Sequence, residues 1–361
     1  MHTLKLNKKD GRQLWLFSDS KLDENIVAPT PFSDPLVANP HLRWHPLRGE
    51  WVAYASYRQN RTFLPPPEYN PLAVTIDPNA PTELPMGNWQ VAVFDNRFPS
   101  LTLTANNPPE ITTPTVPAKG KCEVVVFTQN SQSSLGNLSL ANIILLIKVW
   151  GIRTDDIGQD SKIQYVLPFE NRGIEMGVTL NHPHGQIYAY PFIPPIPARM
   201  QHQAHNYFNE HGRGPLEDMI EKELKDEKRI IYRGEYAIAF TPPCARYPYE
   251  VWVAPIKAVP TFSSLTDNQR IDLAKALKTV LMKYDALWNR PFPYLMAWYQ
   301  APTDGIKHPE SHLHAEFYPP YRTVDKLKYL AGTEIAAGLF VMDALPEEKA
   351  LELQKVIVDI N

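Results

Sequence analysis

Asn181-His182-Pro183-His184-Gly185-Gln186-Ile187-Tyr188-Ala189-Tyr190 is the stretch on which the reading of this chain turns. Pro183 cannot continue a helix and fixes its own φ. It also biases His182 toward extended backbone. Residues two apart on extended chain share a side, so His182, His184 and Gln186 are expected to point one way. Gly185 is expected to leave room for a ligand to approach the backbone. The bland reading is a histidine-rich turn beside a strand, and the rest of the chain decides between the two.

The 361 residues are 43% hydrophobic and 21% charged, with a formal net charge of -3. That balance suits one large or two medium globular domains. No basic excess points to nucleic acid and no charge block to a tail. Any phosphate must therefore be met by a local pocket. The two cysteines, Cys122 and Cys244, form no CxxC and no disulfide framework, which fits a reducing compartment. The start lacks a long apolar core, so no signal peptide is expected. The most apolar run, residues 143–147, is too short to span a membrane. A cytoplasmic location with no membrane partner follows as the expectation. The 36 prolines predict many extended or turning connections.

Working outward, residues 1–40 read as a hairpin or arm followed by a linker. Residues 50–55, 89–94, 123–127 and 162–170 read as strands, and 139–153 as a buried helix. Residues 63–88 are proline-rich and read as irregular. Arg58-Gln59-Asn60-Arg61 is either a solvated turn or a phosphate clamp. Strands are again expected at 235–240, 249–253, 294–298 and 312–318. Thr266-Asp267-Asn268-Gln269 is a capping-box signature opening a helix with an apolar stripe at Ile271, Ala274, Leu277, Leu281 and Tyr284. Residues 216–229 read as a charged amphipathic helix and 346–359 as a C-terminal helix.

The second series repeats the first. Glu123 matches Glu250, Leu138-Ser139 matches Leu265-Thr266, and His182 and His184 match His312 and His314 at nearly constant spacing. An α+β fold of two related halves follows: a mainly antiparallel sheet covered by helices, with the halves sharing one continuous sheet as an option. The boundaries fall at 1–40 for the arm, 41–195 for the first half and 196–361 for the second.

The halves differ where chemistry matters. The first carries His-Pro-His-Gly-Gln and the second His-Leu-His-Ala-Glu. A neutral imidazole is a nucleophile near pH 7. Attack on phosphorus would split one displacement into two through a covalent adduct. The Gln186 amide could donate to a phosphoryl oxygen. It is a poor proton donor and would not activate water, so transfer is favoured over hydrolysis.

HPHGQ after FENRG and GVT, within a duplicated chain, resembles galactose-1-phosphate uridylyltransferase, a family of the histidine-triad superfamily. The resemblance runs from about Pro40 to Leu353 and implies two histidine-triad-like halves. It implies that His184 attacks the α-phosphorus of UDP-glucose and that galactose 1-phosphate then takes up the uridylyl group. It further implies that Gln186 holds the phosphoryl group and His182 orients the site. Asn96 and Arg97 would contact the uridine or ribose, and Asn171, Gly177 and Thr179 would line the phosphate region. Residues 58–61, with Arg58 and Arg61, would reach the site of a partner subunit, implying a homodimer. Lys328, Tyr329, Thr333 and Glu334 match the hexose-binding segment.

Some members bind zinc through a CxxC pair, a further histidine and the first histidine of HPHGQ. Here Tyr69-Asn70-Pro71-Leu72 and Ser131 stand at those places, and one histidine is not a zinc site. At the family's second metal site Met200, Tyr299 and Glu316 leave His314. His314 with Glu316 is a weak metal candidate, and a hydrogen-bonded pair is the preferred reading. No resident cofactor is expected, which leaves a loosely held divalent cation to help neutralise the pyrophosphate. His202 and His205 are expected to be solvated. Phe340 stands where a glutamine contacts the hexose, and Asp95 and Arg97 alter the uridine turn. Two alternatives follow: a sugar-nucleotide phosphorylase that passes the nucleotidyl group from a UDP- or ADP-hexose to phosphate, and a nucleotide-binding relative without turnover.

Overall fold

The first part of the chain supplies β1 (His2–Asn7), β2 (Gln13–Ser18), β3 (His41–His45), β4 (Glu50–Tyr54), β5 (Val91–Asp95), β6 (Thr115–Pro117), β7 (Lys121–Val126), α1 (Leu140–Gly158), β8 (Tyr165–Arg172) and β9 (His184–Tyr190). The second supplies α2 (Pro195–His211), α3 (Pro215–Asp226), β10 (Ile230–Arg233), β11 (Ala237–Phe240), β12 (Val251–Pro255), α4 (Asp267–Leu287), β13 (Tyr294–Tyr299), β14 (His314–Tyr318), β15 (Tyr321–Thr323), β16 (Lys326–Leu327) and α5 (Pro346–Gln354). The computed structural model describes residues 1–61, 65, 66 and 69–360. Of the proline-rich run read as irregular, residues 63, 64, 67 and 68 lie outside these.

Among the described residues eleven strands make one sheet, in the order β1-β2-β5-β7-β9-β8-β13-β14-β12-β11-β10. Its centre is the antiparallel pair β8–β13, with Asn171 opposite Leu295 and Glu170 opposite Met296. Outward from that pair, β9, β7 and β5 on one side mirror β14, β12 and β11 on the other. The connections match too: α1 lies between β7 and β8, and α4 between β12 and β13. The repeat read in the sequence is therefore a structural duplication, an α+β fold whose halves share one sheet.

Both long helices start where their caps dictate. The Ser139 hydroxyl accepts the Asn142 N–H at 3.2 Å. Thr266 accepts from Gln269 at 3.2 Å, and the Gln269 side chain accepts the Thr266 N–H at 2.9 Å, closing the capping box. These bonds satisfy N–H groups that have no partner within the helix. α1 and α4 then lie on one sheet face, where Trp150, Phe262 and Trp298 meet with Trp150–Trp298 centroids 5.7 Å apart. Truncating such a buried tryptophan to alanine costs about 3–5 kcal/mol.

The opposite face is covered piecewise. Leu22, Ala28, Leu72, Leu84 and Trp89 pack on Leu14, Leu16, Phe94 and Val126 of the first half. The small sheet β4-β3-β6 closes over Leu101 and Cys122. In the second half α3 packs Leu216 and Ile220 on Ile238, Phe240 and Ala254.

Several boundaries differ from the expectation. α1 runs past residue 153 to Gly158, and α5 stops at Gln354 rather than 359. α2 and the strands β3, β6 and β10 were not anticipated. The first residues do form a hairpin, and it is part of the main sheet: β2 pairs with β5 from Leu14↔Phe94 to Phe17↔Val91.

Candidate active site

Strand β9 builds the site by alternation. Gly185, Ile187 and Ala189 are buried, while His184, Gln186 and Tyr188 are half-buried and line a cleft of about 310 Å³. The expectation that His184 and Gln186 share a face holds for this reason. The expectation for Gly185 needs correction. A Cβ there would come within 2.8 Å of the Phe127 ring and 2.8 Å of the Phe169 carbonyl. The glycine is thus required by packing on the buried side of the strand, away from the face that receives the ligand.

The His184 ring is held by its Nδ1–H, which donates to the His182 carbonyl at 2.7 Å. A carbonyl can only accept, so Nδ1 carries the proton and Nε2 keeps its lone pair. Burial pushes the His184 pKa down, against the opposing effect of that hydrogen bond. The ring is neutral near pH 7, and Nε2 is the nitrogen whose lone pair could serve as a nucleophile.

His182 does not join it in the cleft lining. Its Nε2–H donates to the Thr128 carbonyl at 2.7 Å. Its Nδ1 accepts from the Asn70 amide at 3.0 Å. The two imidazoles therefore do not project together, because Pro183 turns the chain before β9 begins at His184. His182 meets the His184 ring through its main-chain carbonyl, while its own ring is held by Thr128 and Asn70.

Nine of the residues singled out in the sequence line this one cleft: Arg58, Arg61, Asn96, Arg97, Asn171, Gly177, Thr179, His184 and Gln186. Arg58 and Arg61 stand at their own chain's cleft. The Arg58 guanidinium is anchored on the Phe98 carbonyl. The Asn96 side chain accepts the Phe98 N–H at 2.8 Å and shapes the turn. Gly177 has φ +73°, a left-handed conformation that suits glycine. The Asn171 Oδ1 is shut off from solvent and has no partner among the described residues, which leaves it able to accept from a ligand. Asp95 instead accepts the Gln13 N–H at 2.8 Å, away from the cleft.

Some cleft residues escaped the sequence reading. Phe32, from the supposed linker, lies under the Arg97 guanidinium at 4.5 Å. Glu83 lines the cleft and is gripped by Lys8 at 2.7 Å and Arg12 at 2.8 Å, all three buried. No local pattern signals contacts that span more than seventy positions.

The chain is similar to known proteins along nearly its whole length. Residues 33–194 fit the profile of the galactose-1-phosphate uridyl transferase N-terminal domain, and residues 200–360 that of its C-terminal domain. The chain belongs to the galactose-1-phosphate uridyl transferase family. It is 36% identical to the galactose-1-phosphate uridylyltransferase of Thermotoga maritima, over 88% of this chain and 99% of that one. It is 32% identical to that of Streptomyces lividans, over 98% and 97%. A solved uridylyltransferase structure superposes with a TM-score of 0.76 at 30% identity, covering 87% of this chain and 97% of that one. An ADP-glucose phosphorylase from Arabidopsis thaliana shares the fold, with a TM-score of 0.66 at 22% identity over 89% and 100%.

The metal ligands of other members of this uridyl transferase family do not fit here. Both ring nitrogens of His182 are committed to hydrogen bonds. In the second half His314 Nδ1–H donates to the His312 carbonyl at 2.7 Å, and its Nε2 meets Glu316 at 3.2 Å. Glu316 also accepts from Tyr318 and Arg246, while Met200 packs beside Tyr299 and Tyr318. The pair is a hydrogen-bonded one. No group of three or more His, Cys, Asp or Glu suited to a metal occurs among the described residues.

The segment that the resemblance implies for hexose binding lies elsewhere. Lys328, Tyr329, Thr333 and Glu334 do not line the cleft of their own chain. Lys328 Nζ donates to the Val341 carbonyl at 2.6 Å. Glu334 accepts from Thr333, Ala331 and Val341, and these donors, the Thr333 hydroxyl first, hold its carboxyl down at about 2. Phe340 turns onto Tyr247 and the Arg246 guanidinium.

Proposed function

We propose that this protein exchanges UMP between UDP-glucose and galactose 1-phosphate by a two-step transfer on His184. The observation that carries the reading is a neutral imidazole, its Nδ1–H held by the His182 carbonyl, on a residue lining a cleft that presents Arg58, Arg61 and Arg97. In the first step the Nε2 lone pair forms a bond to the α-phosphorus. The bond from that phosphorus to the bridging oxygen breaks, and glucose 1-phosphate leaves with the electron pair. In the second step a phosphate oxygen of galactose 1-phosphate attacks the same phosphorus, and the N–P bond returns its pair to Nε2. Neither step needs a proton moved, because both leaving and entering groups are phosphates. That explains why a glutamine, not a base, stands beside the nucleophile. Gln186 donates to the phosphoryl oxygens, and the arginines meet charge that builds in the transition state.

A homodimer completes the site in this reading. Tyr329, Leu330, Ile335, Leu339 and Val341 are exposed apolar residues on a segment away from its own cleft. A second copy that took this segment would cover them and gain hexose contacts. No helix among the described residues is long and apolar enough to cross a membrane, and with both cysteines free we assign the protein to the cytoplasm.

The test is to incubate the protein with UDP-glucose alone and weigh it intact, expecting one uridylyl group on His184. Full exchange activity in His184→Gly would end this reading. Offering galactose 1-phosphate or inorganic phosphate as acceptor, with UDP- or ADP-glucose as donor, separates the transferase from a phosphorylase. The placement of Phe340 on Tyr247 and Arg246 gives the phosphorylase reading no separate support.

A further inference from the structure

The two halves of the fold offer an internal comparison around the nucleophile. In both, the second histidine donates Nδ1–H to the carbonyl of the first at 2.7 Å. In both, the first histidine donates Nε2–H to a neighbouring carbonyl: Thr128 at 2.7 Å for His182, Pro255 at 2.8 Å for His312. One bond differs. His182 Nδ1 accepts from Asn70 at 3.0 Å, whereas buried His312 Nδ1 has no partner among the described residues. The fold thus closes its His-x-His turn without that bond. It is present only in the half where the second histidine keeps a free Nε2, since His314 Nε2 is engaged by Glu316.

Asn70 is also held the right way round. Its Oδ1 accepts the Leu72 N–H at 3.0 Å, so the amide must present its NH₂ to His182. An N–H donor facing Nδ1 tolerates only a lone pair there. With Nε2–H already committed to Thr128, His182 is locked in one neutral tautomer. Tyr69, Pro71 and Leu72, the neighbours of Asn70, line the cleft itself. One bond therefore ties the cleft wall to the residue whose carbonyl aims His184.

We propose that Asn70 is a positioning residue for uridylyl transfer: by fixing the His182 ring it fixes the carbonyl that holds His184 on line. The proposal rests on the transfer reading above. Asn70→Asp keeps an acceptor for the Leu72 N–H but faces Nδ1 with a charged carboxylate oxygen instead of a donor, while Asn70→Ala removes both groups. In the full-length chain both variants are expected to slow single-turnover uridylylation by UDP-glucose about 10–100-fold, as loss of a supporting hydrogen bond to a functional histidine does elsewhere. KM is expected to stay nearly unchanged, and Asn70→Ser, which restores a hydroxyl donor, to recover part of the rate. Imidazole ¹⁵N spectra of the wild-type protein are expected to show His182 protonated on Nε2 with an accepting Nδ1. Wild-type rates in Asn70→Asp and Asn70→Ala would overturn the proposal, as would a proton on His182 Nδ1 in the wild-type spectrum. The spectrum decides if the variants do not fold. A wild-type chain that forms no adduct counts against the transfer reading, whereas a normal adduct with indifferent Asn70 variants counts against this inference alone.

Discussion

Burial pushes the His184 imidazole below its ordinary pKa, and its Nδ1–H is spent on the His182 carbonyl. In the proposed transfer the attacking form is therefore the one present at neutral pH, and it persists as pH falls below about 6.5, the ordinary imidazole value. Adduct formation should stay flat with pH through that region, which stopped-flow quench at several pH values would check. Replacing Gln186 by alanine removes a donor to the phosphoryl oxygens and should slow both half-reactions by about 10²–10³-fold, the usual loss for one oxyanion donor. His312 makes a separate prediction about stability. Its pKa in the folded chain lies at about 4, chiefly through burial, below the unfolded value of about 6.5. The folded state then binds fewer protons than the unfolded one between those values. The stabilisation is present above about 6.5 and is lost as pH falls toward about 4. His312→Gln should flatten urea-derived stability against pH in that window, by roughly 3 kcal/mol at most. At this scale the shared face of His184 and Gln186 was legible from type and spacing, whereas Arg58 and Arg61 stayed open between a solvated turn and a phosphate clamp, and Arg97 came only with the family resemblance. The true role of Gly185 was not legible, because it depends on Phe127 and the Phe169 carbonyl, brought across from other strands.

Between elements, β7 and α1 are tied by Glu123 and Arg153, both buried, with N–O distances of 3.0 and 2.7 Å. Arg153→Met would leave the Glu123 carboxylate with Lys121 alone, at 3.0 Å. Removing one partner of a buried pair costs about 3–5 kcal/mol, so a loss near that size is expected in chemical denaturation. Gly185→Ala drives a Cβ into the β8 backbone and the Phe127 ring. It should cost about 1–3 kcal/mol as an overpacked core does, and slow uridylylation because His184 and Gln186 flank it on the same strand. α4 could be read from its capping box, which depends only on residues three apart. α2 could not: it begins with Pro194, Pro195 and Pro197, and prolines that suit a first helical turn look in a sequence like one more turning connection.

Across the molecule, the N-terminal hairpin belongs to the site it seems remote from. β2 covers the edge of β5, and Lys8 and Arg12 neutralise Glu83 at the cleft. Deleting residues 1–18 should expose that sheet edge and leave Glu83 uncompensated. The expected result is aggregation on size exclusion together with loss of UDP-glucose binding. The dimer reading is tested by mixing. His184→Gly and Tyr329→Ala protomers, each inactive alone, should regain exchange activity when reassembled together if one copy lends its hexose segment to the other. No recovery, or a monomer in light scattering, would remove the partner from the mechanism.

By itself the sequence determined the duplication and the alternation of strand β9, and it marked HPHGQ as the candidate for chemistry, because these rest on residue type and on periods that do not depend on what packs nearby. Only the tertiary structure decided which contacts support that chemistry. Asn70 reaches His182 across 112 positions, and Lys8 reaches Glu83 across 75. Each follows from how the chain returns on itself, and no local pattern encodes the partner at the far end of such a contact.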